Sequence, residues 1–112
     1  MNYKEIVNKA KRSAPEGVII EAEATTLQEA LDAVECGVDI VMLDNMSMME
    51  MTRAVELIAG RAEVEASGGV NLKNIRAVAE TGVDFISVGA LTHSYKAMDI
   101  SLELEPQTFR LI

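Results

Sequence analysis

The stretch ECGVDIVML, Glu35 to Leu43, decides the fold because it recurs as ETGVDFISV, Glu80 to Val88. In both copies a glycine follows a helical stretch and precedes an apolar run, which indicates that a helix ends and a strand begins there. The two copies lie 45 residues apart, the length of two βα units. Such an echo is typical of a (β/α) barrel, where alternate strands contribute to the same layers of the interior.

Outward from this repeat, helices and strands alternate along the whole chain. Apolar runs between turn signals predict four strands, at Val18–Ala24, Asp39–Leu43, Ala62–Ala66 and Asp84–Val88. Helical spacing predicts a first helix over Tyr3–Arg12 and three more around Leu27–Val34, Met51–Ile58 and Leu72–Ala79. The order α-β-α-β-α-β-α-β predicts an α/β fold in which four βα-type units form a parallel sheet.

The length limits how far this sheet can close. A complete barrel takes about 250 residues, so the 112 residues of this chain are expected to form a single domain, residues 1–112, that is half of an incomplete barrel. Four parallel strands leave two open edges, and open edges invite pairing with another chain. The chain could pair with another copy, curl into a small open sheet, or be a segment of a longer protein. Of these, we expect a homo-oligomer.

The predicted helices carry start and stop signals. TLQE from Thr26 and SMME from Ser47 match the capping-box pattern, and Asn71 is expected to cap the helix that follows it. Three glycines stand where helices are expected to end in the left-handed conformation: Gly37, Gly60 and Gly82.

Composition excludes several classes of partner. The net charge of −8 argues against nucleic acid and against anionic membrane surfaces, since both require a basic face. No apolar run approaches the roughly 20 residues that span a bilayer. Cys36 is the single cysteine and no basic-then-apolar leader opens the chain, so a cytoplasmic location is expected.

Two carboxylates form the sharper candidate site. Ligands of βα folds meet the carboxyl ends of the strands, where Glu23 follows the first strand and Asp44 the second. Neighbouring strands lie about 5 Å apart, so both side chains could hold sugar hydroxyls or a magnesium ion. Glu21 points the same way as Glu23, and only one of the two need face the ligand. The alternative is that these are solvated acids of an acidic protein.

Glycines mark two candidate phosphate cradles. Gly68 and Gly69, after Ser67, lack Cβ atoms, so an anion could approach their N–H groups and the amino end of the next helix. The pair could also simply make a tight turn. Gly89 and Ala90 form a second cradle beyond the last strand, and His93 is either an acid or base or a local hydrogen-bonding residue.

Methionines cluster after the second strand. Met46, Met48, Met49 and Met51 lack a nearby Cys or His partner for a soft metal. We expect them to pack flexibly or to contact another subunit.

The segments EAEATTLQEA, DIVMLDNMS, EASGGVNLKNIRAVAETGVDFISVGALTHS and DISLE stand in this order and spacing. They closely resemble the C-terminal part of quinolinate phosphoribosyltransferase, over roughly Val18 to Leu104. The resemblance implies an incomplete (β/α) barrel, a dimer, and synthesis of nicotinate mononucleotide, pyrophosphate and carbon dioxide from quinolinate and phosphoribosyl pyrophosphate with Mg²⁺, in NAD biosynthesis.

The same resemblance assigns roles by position. Glu23 and Asp44 match the family's acids on the ribose and metal side of the substrate. Two matching phosphate-contacting segments follow: Ser67, Gly68 and Gly69, and then Val88, Gly89 and Ala90. His93 is added to the substrate-binding set, and Glu23 and Asp44 would stabilise the positive charge that develops on the ribose.

One departure from the family limits the expected activity. None of the ten Lys and Arg residues stands at a predicted strand tip, and the family's N-terminal domain and early barrel strands, which grip quinolinate, have no counterpart here. We expect this chain to be inactive alone and to hold only the phosphoribosyl half of the site. The alternatives are a non-catalytic, self-associating phosphate-binding half-barrel, or a related phosphoribosyltransferase that uses another base.

Overall fold

The computed structural model describes residues 2–88 and 91–94, with only the backbone of Val88 and of residues 91–94. The helices are α1 (Tyr3–Ser13), α2 (Leu27–Glu35), α3 (Met48–Ile58) and α4 (Ile75–Glu80). The strands are β1 (Glu21–Ala24), β2 (Ile40–Asp44), β3 (Glu63–Ser67), β4 (Phe85–Val88) and β5 (Leu91–Ser94). The predicted α/β alternation is confirmed through β4.

The strands form one sheet in the order β1-β2-β3-β4-β5. The first four are parallel, as predicted, and the register pairs Glu23 with Met42, Met42 with Glu65, and Glu65 with Phe85. Asp44 pairs with Ser67 at the carboxyl end of the same sheet.

The prediction of four strands was incomplete, because β5 runs antiparallel to β4 and pairs His93 with Ile86. The sequence predicts His93 beyond the last strand, whereas the structure places its backbone within β5. Only two residues separate β4 from β5, which is the commonest length for a connection between antiparallel strands. A four-residue strand that returns beside its neighbour carries too little periodicity to be distinguished from a loop.

The helix starts follow only in part from the predicted side-chain caps. Ser47 and Glu50 form the complete capping box of α3. At the start of α2 only half of the predicted box forms, because the Thr26 hydroxyl accepts from Glu29 N while the Glu29 carboxylate accepts from Thr25. Asn71 does not cap α4 as predicted, because that helix begins one turn later, after Asn74. The side chain of Asn71 instead accepts from Lys73 N and Asn74 N, in the turn that precedes α4. Leu72, which was predicted to belong to the apolar face of this helix, is 79% exposed.

The hydrophobic core lies between the helices and one face of the sheet. Strand residues of that face, such as Ala22, Val41, Leu43, Val64 and Ile86, form one cluster with apolar side chains of all four helices. Small Ala side chains on the sheet and on α2 let the helices approach closely, and the aliphatic residues fill the remaining space. None of the described helices is long and apolar enough to cross a membrane.

Each copy of the sequence repeat contains the same pair of hydrogen bonds, which we call the Asp clasp. Asp39 N–H donates to the Ile20 carbonyl at 3.0 Å, and the Asp39 carboxylate accepts from Ile20 N at 2.8 Å. Asp84 does the same with Val64, at 2.8 and 2.9 Å. Each clasp joins the two residues that precede a registered pair of strand residues, so it fixes how one parallel strand starts against its neighbour.

Candidate functional site

The face of the sheet opposite the helices carries five acids, and we call it the acidic face: Glu21, Glu23, Asp44, Glu63 and Glu65. Residues paired in register project from the same side of a sheet, and alternate residues of a strand share that side. The acids therefore line one surface from the amino to the carboxyl end of the strands. Asp44 and Ser67 stand at the carboxyl end of this surface.

The acids of this face differ in exposure. Glu21 and Glu65 are 1% and 2% exposed, whereas Glu23 is exposed and Asp44 is half-buried. Of the two glutamates of β1, Glu23 is thus the one that lies open near the carboxyl edge. Glu23 and Asp44 stand on adjacent strands, with Asp44 two residues beyond the residue that pairs with Glu23.

The end of β2 packs directly against the glycine pair after β3. Asn45 N–H donates to the Ser67 carbonyl at 2.8 Å, and Asn45 itself has a left-handed φ of 56°. A Cβ at Gly68 would lie 2.8 Å from Asp44 Oδ1 and 3.0 Å from Asn45 N. The structure therefore brings together Asp44, Ser67, Gly68 and Gly69, which the sequence had nominated separately.

Two asparagines hold the loop after the glycines. Asn74 Nδ2 donates to the Gly69 carbonyl at 2.8 Å, while Asn74 Oδ1 accepts from Asn71 N at 2.8 Å. Gly68 and Gly69 both have left-handed backbones, with φ of 80° and 72°. Neither glycine carries a side chain that would cover its own N–H group.

The second predicted cradle is placed only in part. Val88 ends β4, and its neighbours Gly89 and Ala90 lie outside the described residues. The backbone of His93 lies in β5, two residues beyond the start of that strand, and its side chain is outside the description. The geometry therefore brings the end of β4 to the same edge as Ser67, without testing any role for His93.

Helix α1 reaches the same edge through its first residue. The Tyr3 hydroxyl donates to the Glu23 carbonyl at 2.7 Å. Burial raises the pKa of Tyr3 to about 12, and the nearby acids Glu29 and Asp32 add to this effect. The phenol therefore stays protonated at physiological pH and remains a donor to the strand that carries Glu23.

The carboxylates suit a magnesium ion that arrives with a phosphate ligand. No cluster of three or more His, Cys, Asp or Glu side chains in the described part of the chain could hold a metal ion alone. Mg²⁺ is commonly bound through one or two carboxylates together with substrate phosphates. Glu23 and Asp44 fit this second mode by residue type and by their position on adjacent strands.

The sequence alone did not single out Glu65, Asn45 or Tyr3. Glu65 lies deep in the acidic face, and its Oε2 accepts the hydroxyl hydrogen of Ser87 on β4. Its signal was available, since glutamate is depleted in strand interiors and Glu65 alternates in phase with Ser67. Asn45 follows a strand in a left-handed conformation, which Asn tolerates better than most residues. Nothing local to Tyr3 indicated its long-range partner.

The methionines divide into two groups. Met46 and Met51 are buried in the core, whereas Met49 is 84% exposed and Met48 lies partly exposed beside it. A surface groove of about 480 Å³ on α3 is lined by Met48, Met49, Thr52, Arg53 and Glu56. The first residue of this groove, Met48, lies four residues after the end of β2.

Comparison with known proteins assigns a family to this arrangement. Residues 1–103 match the family model described as quinolinate phosphoribosyl transferase, C-terminal domain. A nicotinate-nucleotide pyrophosphorylase (carboxylating) of rice, named as chloroplastic, is 43% identical over 103 residues, which cover 79% of this chain and 28% of the rice protein. A probable enzyme of the same name from Bacillus subtilis is 37% identical over 100 residues, covering 89% of this chain and 35% of that protein.

Solved structures give the same result. The nicotinate-nucleotide pyrophosphorylase of Francisella tularensis superposes with a TM-score of 0.72 at 35% identity, over 95% of this chain and 36% of that one. A thiamine phosphate pyrophosphorylase from Pyrococcus furiosus superposes at 0.66 and 33% identity, over 73% of this chain and 43% of that one. The chain thus spans about a third of the length of the nicotinate-nucleotide pyrophosphorylases described here. Over nearly all of its own length, it belongs to the family of the C-terminal domain of quinolinate phosphoribosyl transferase.

Proposed function

We propose that this chain forms the phosphoribosyl-binding half of a quinolinate phosphoribosyltransferase site. The whole reaction would join quinolinate to phosphoribosyl pyrophosphate and release nicotinate mononucleotide, pyrophosphate and carbon dioxide. The observation that carries the proposal is the direct packing of Asp44 and Asn45 against Gly68 and Gly69 at the carboxyl edge of the sheet. A carboxylate that packs directly against a glycine cradle suits a ligand that carries both hydroxyls and phosphates.

The cradle would bind the phosphate. Two consecutive left-handed glycines expose backbone N–H groups without side chains that would keep an anion away. Asn74 fixes the Gly69 carbonyl, which limits the freedom that the loop must lose when a ligand binds.

The carboxylates would act on the sugar. Glu23 and Asp44 would accept hydrogen bonds from ribose hydroxyls, and their negative charge would stabilise the positive charge that develops on the ribose as the leaving group departs. Tyr3 holds the backbone of Glu23 through its carbonyl, so the first helix would help to orient this acid.

Magnesium is part of the proposal. When bound, Mg²⁺ would neutralise the charge of the departing pyrophosphate, with Glu23 and Asp44 as the chain's contribution to holding it. The acidic face has acids at every level and no Lys or Arg among its described strand residues. An anionic ligand would therefore need an accompanying cation to overcome this repulsion.

The quinolinate half would come from elsewhere. Carboxylate recognition normally uses Arg or Lys, and the described basic residues lie in helices, turns and loops rather than on the acidic face. We propose that the chain alone lacks transferase activity and gains it only with a second component that supplies those cations.

The first test is a titration of the purified chain with phosphoribosyl pyrophosphate and Mg²⁺, followed by amide NMR spectra. We expect selective shifts at Gly68 and Gly69, and loss of the Mg²⁺-dependent part in Asp44→Asn. Glu63→Gln is the matched control, because Glu63 is an exposed acid of the same face at the amino end of β3. Equal weakening by both variants would show that overall charge, rather than the site, controls binding.

A non-catalytic phosphate-binding module is the second candidate. It needs only the left-handed glycine pair Gly68 and Gly69, and none of the cations that quinolinate would require. Binding of inorganic phosphate with the same shifts and the same affinity as phosphoribosyl pyrophosphate would favour this module. No shift with either ligand would refute both candidates.

We also propose that the chain forms a homo-oligomer through the groove on α3. Met48 and Met49 are exposed in the first turn of that helix, and Arg53 and Glu56, which pair with each other at 3.6 Å, flank them. Sedimentation should show a dimer that dissociates in Met49→Lys, while Lys73→Glu, an exposed change on another loop, leaves it intact. A wild-type monomer at all concentrations would refute the proposal.

A cytoplasmic location is proposed on chemical grounds. Cys36 is a free thiol, which suits a reducing compartment. Cell fractionation tests this proposal, and recovery in an organelle, as the name of the rice relative implies for that protein, would overturn it.

A further inference from the structure

The interior of the acidic face contains a hydrogen bond that the proposed binding roles do not use. Glu65, in the middle of β3, is 2% exposed, and its Oε2 accepts the Ser87 hydroxyl on the neighbouring strand β4. A buried carboxylate is costly unless hydrogen bonds compensate for lost hydration. Leaving such a buried acceptor without its hydrogen bond is likewise costly.

The position of this bond connects the two candidate phosphate segments. Glu65 pairs in register with Phe85, so Ser87 lies two residues nearer the carboxyl edge than the partner of Glu65. The bond therefore crosses diagonally toward that edge. Ser67 and the first glycine cradle follow two residues after Glu65, and Val88 follows Ser87 directly.

We propose that Glu65 is a positioning residue that holds the end of β4 against the end of β3 through Ser87. This inference rests on the proposed function, since its purpose is to set the position of the end of β4 beside the Ser67–Gly69 cradle. The backbone pairs of β3 and β4 end at Ala66 and Ile86. Beyond these pairs, the Glu65–Ser87 side-chain bond also links the two strands toward the carboxyl edge.

This positioning role requires the acceptor oxygen of Glu65 rather than a negative charge. Gln keeps an oxygen of the same reach that can accept from Ser87, whereas Leu removes the acceptor and keeps similar bulk. Ser87→Ala removes the donor. If the bond acts as a unit, Glu65→Leu and Ser87→Ala should have similar effects that do not add in the double variant.

The test is calorimetric titration with phosphoribosyl pyrophosphate and Mg²⁺. We expect Glu65→Leu, Ser87→Ala and the double variant each to weaken binding roughly tenfold, which is near the usual cost of losing one buried hydrogen bond. Glu65→Gln should stay within about threefold of wild type on the same scale. Thr81→Val is the control, because it also removes a buried hydroxyl, at the opposite end of β4.

Amide spectra of the ligand-free variants separate this inference from the proposed function. Ser87→Ala should shift the Gly68 and Val88 amides, Glu65→Gln should shift them little, and Thr81→Val should leave them in place. If wild type fails to bind phosphoribosyl pyrophosphate, the proposed function fails, and these spectra alone decide the positioning role. Weakening by Glu65→Gln equal to that of Glu65→Leu, or loop amides unmoved in Ser87→Ala, would overturn the inference.

Discussion

Replacing Gly68 by alanine tests the contact on which the proposed site depends. Two costs combine at this position. The φ of 80° is left-handed, which costs an L-residue about 1–2 kcal/mol. The added Cβ would lie 2.8 Å from Asp44 Oδ1 and 3.0 Å from Asn45 N. Asp44 could rotate away, but the Asn45 N–H is held by the Ser67 carbonyl, so backbone must move. Overpacking of this kind costs about 1–3 kcal/mol.

Gly60 supplies the matched control. Its φ is also 80°, and a Cβ there would meet nothing within 4 Å. Gly60→Ala should therefore lose only the conformational cost, about 1–2 kcal/mol, whereas Gly68→Ala should lose about 2–5 kcal/mol. The difference between the two variants isolates the contact with Asp44 and Asn45.

Urea unfolding measures this difference. With an m-value of about 2 kcal/mol per M, an extra loss of 2 kcal/mol lowers the midpoint by about 1 M. We further expect Gly68→Ala, and not Gly60→Ala, to lose binding of phosphoribosyl pyrophosphate under conditions where both are folded. Equal midpoints for the two variants would refute the close packing of β2 against the glycine cradle.

Three further predictions concern the supports of the fold. Asp84→Ala should lower the free energy of unfolding in urea by about 1–3 kcal/mol because Val64 N–H loses its acceptor, and Asp84→Asn should lower it less. Equal losses in the two variants would argue against the Asp clasp. Ser47→Ala should cost about 1 kcal/mol through the capping box, and an unchanged midpoint would contradict that role. In a Tyr95→Phe background, the absorbance of Tyr3 should titrate near pH 12. Folding raises this pKa above 10.0, so the contribution of protonated Tyr3 to stability is complete below pH 10 and is lost as pH rises toward 12. A Tyr3→Phe variant should not show that loss of stability. A midpoint of the absorbance titration near pH 10 would refute the burial of Tyr3.

The features that the sequence predicted well are those encoded locally. Gly37, Gly60 and Gly82 adopt the left-handed conformation expected at helix ends, and the capping box at Ser47 forms as its spacing indicates. The repeat identified the parallel alternation because glycine and an apolar run recur together. These signals depend on neighbours within a few residues, so a single sequence contains them.

The features that were missed depend on contacts between distant residues. Asn71 was a reasonable N-cap by type, yet the chain uses it in a turn with Asn74, and α4 begins later. β5 is defined by its pairing with β4, and no local sequence pattern predicts that pairing. The roles of Asp39 and Asp84 in the clasps were likewise hidden, because an aspartate before a strand resembles an ordinary turn residue until its partner is known.

The acidic face shows the same division. Residue type and strand ends nominated Glu23, Asp44 and the Ser67–Gly69 segment, and the register explains why Asp44 and Ser67 become neighbours. Burial separated Glu21 from Glu23 and drew attention to Glu65. Burial is a property of the assembled sheet, so the sequence could place these acids on one face but could not rank them.

The Asp clasps have a consequence for how such chains arise. Each clasp sets the start of one pair of strands from within that pair, β1 with β2 and β3 with β4. A duplicated segment that encodes one such pair therefore also encodes the hydrogen bonds that set the register between its two strands. Adding further pairs of this kind would extend the parallel sheet toward a closed barrel.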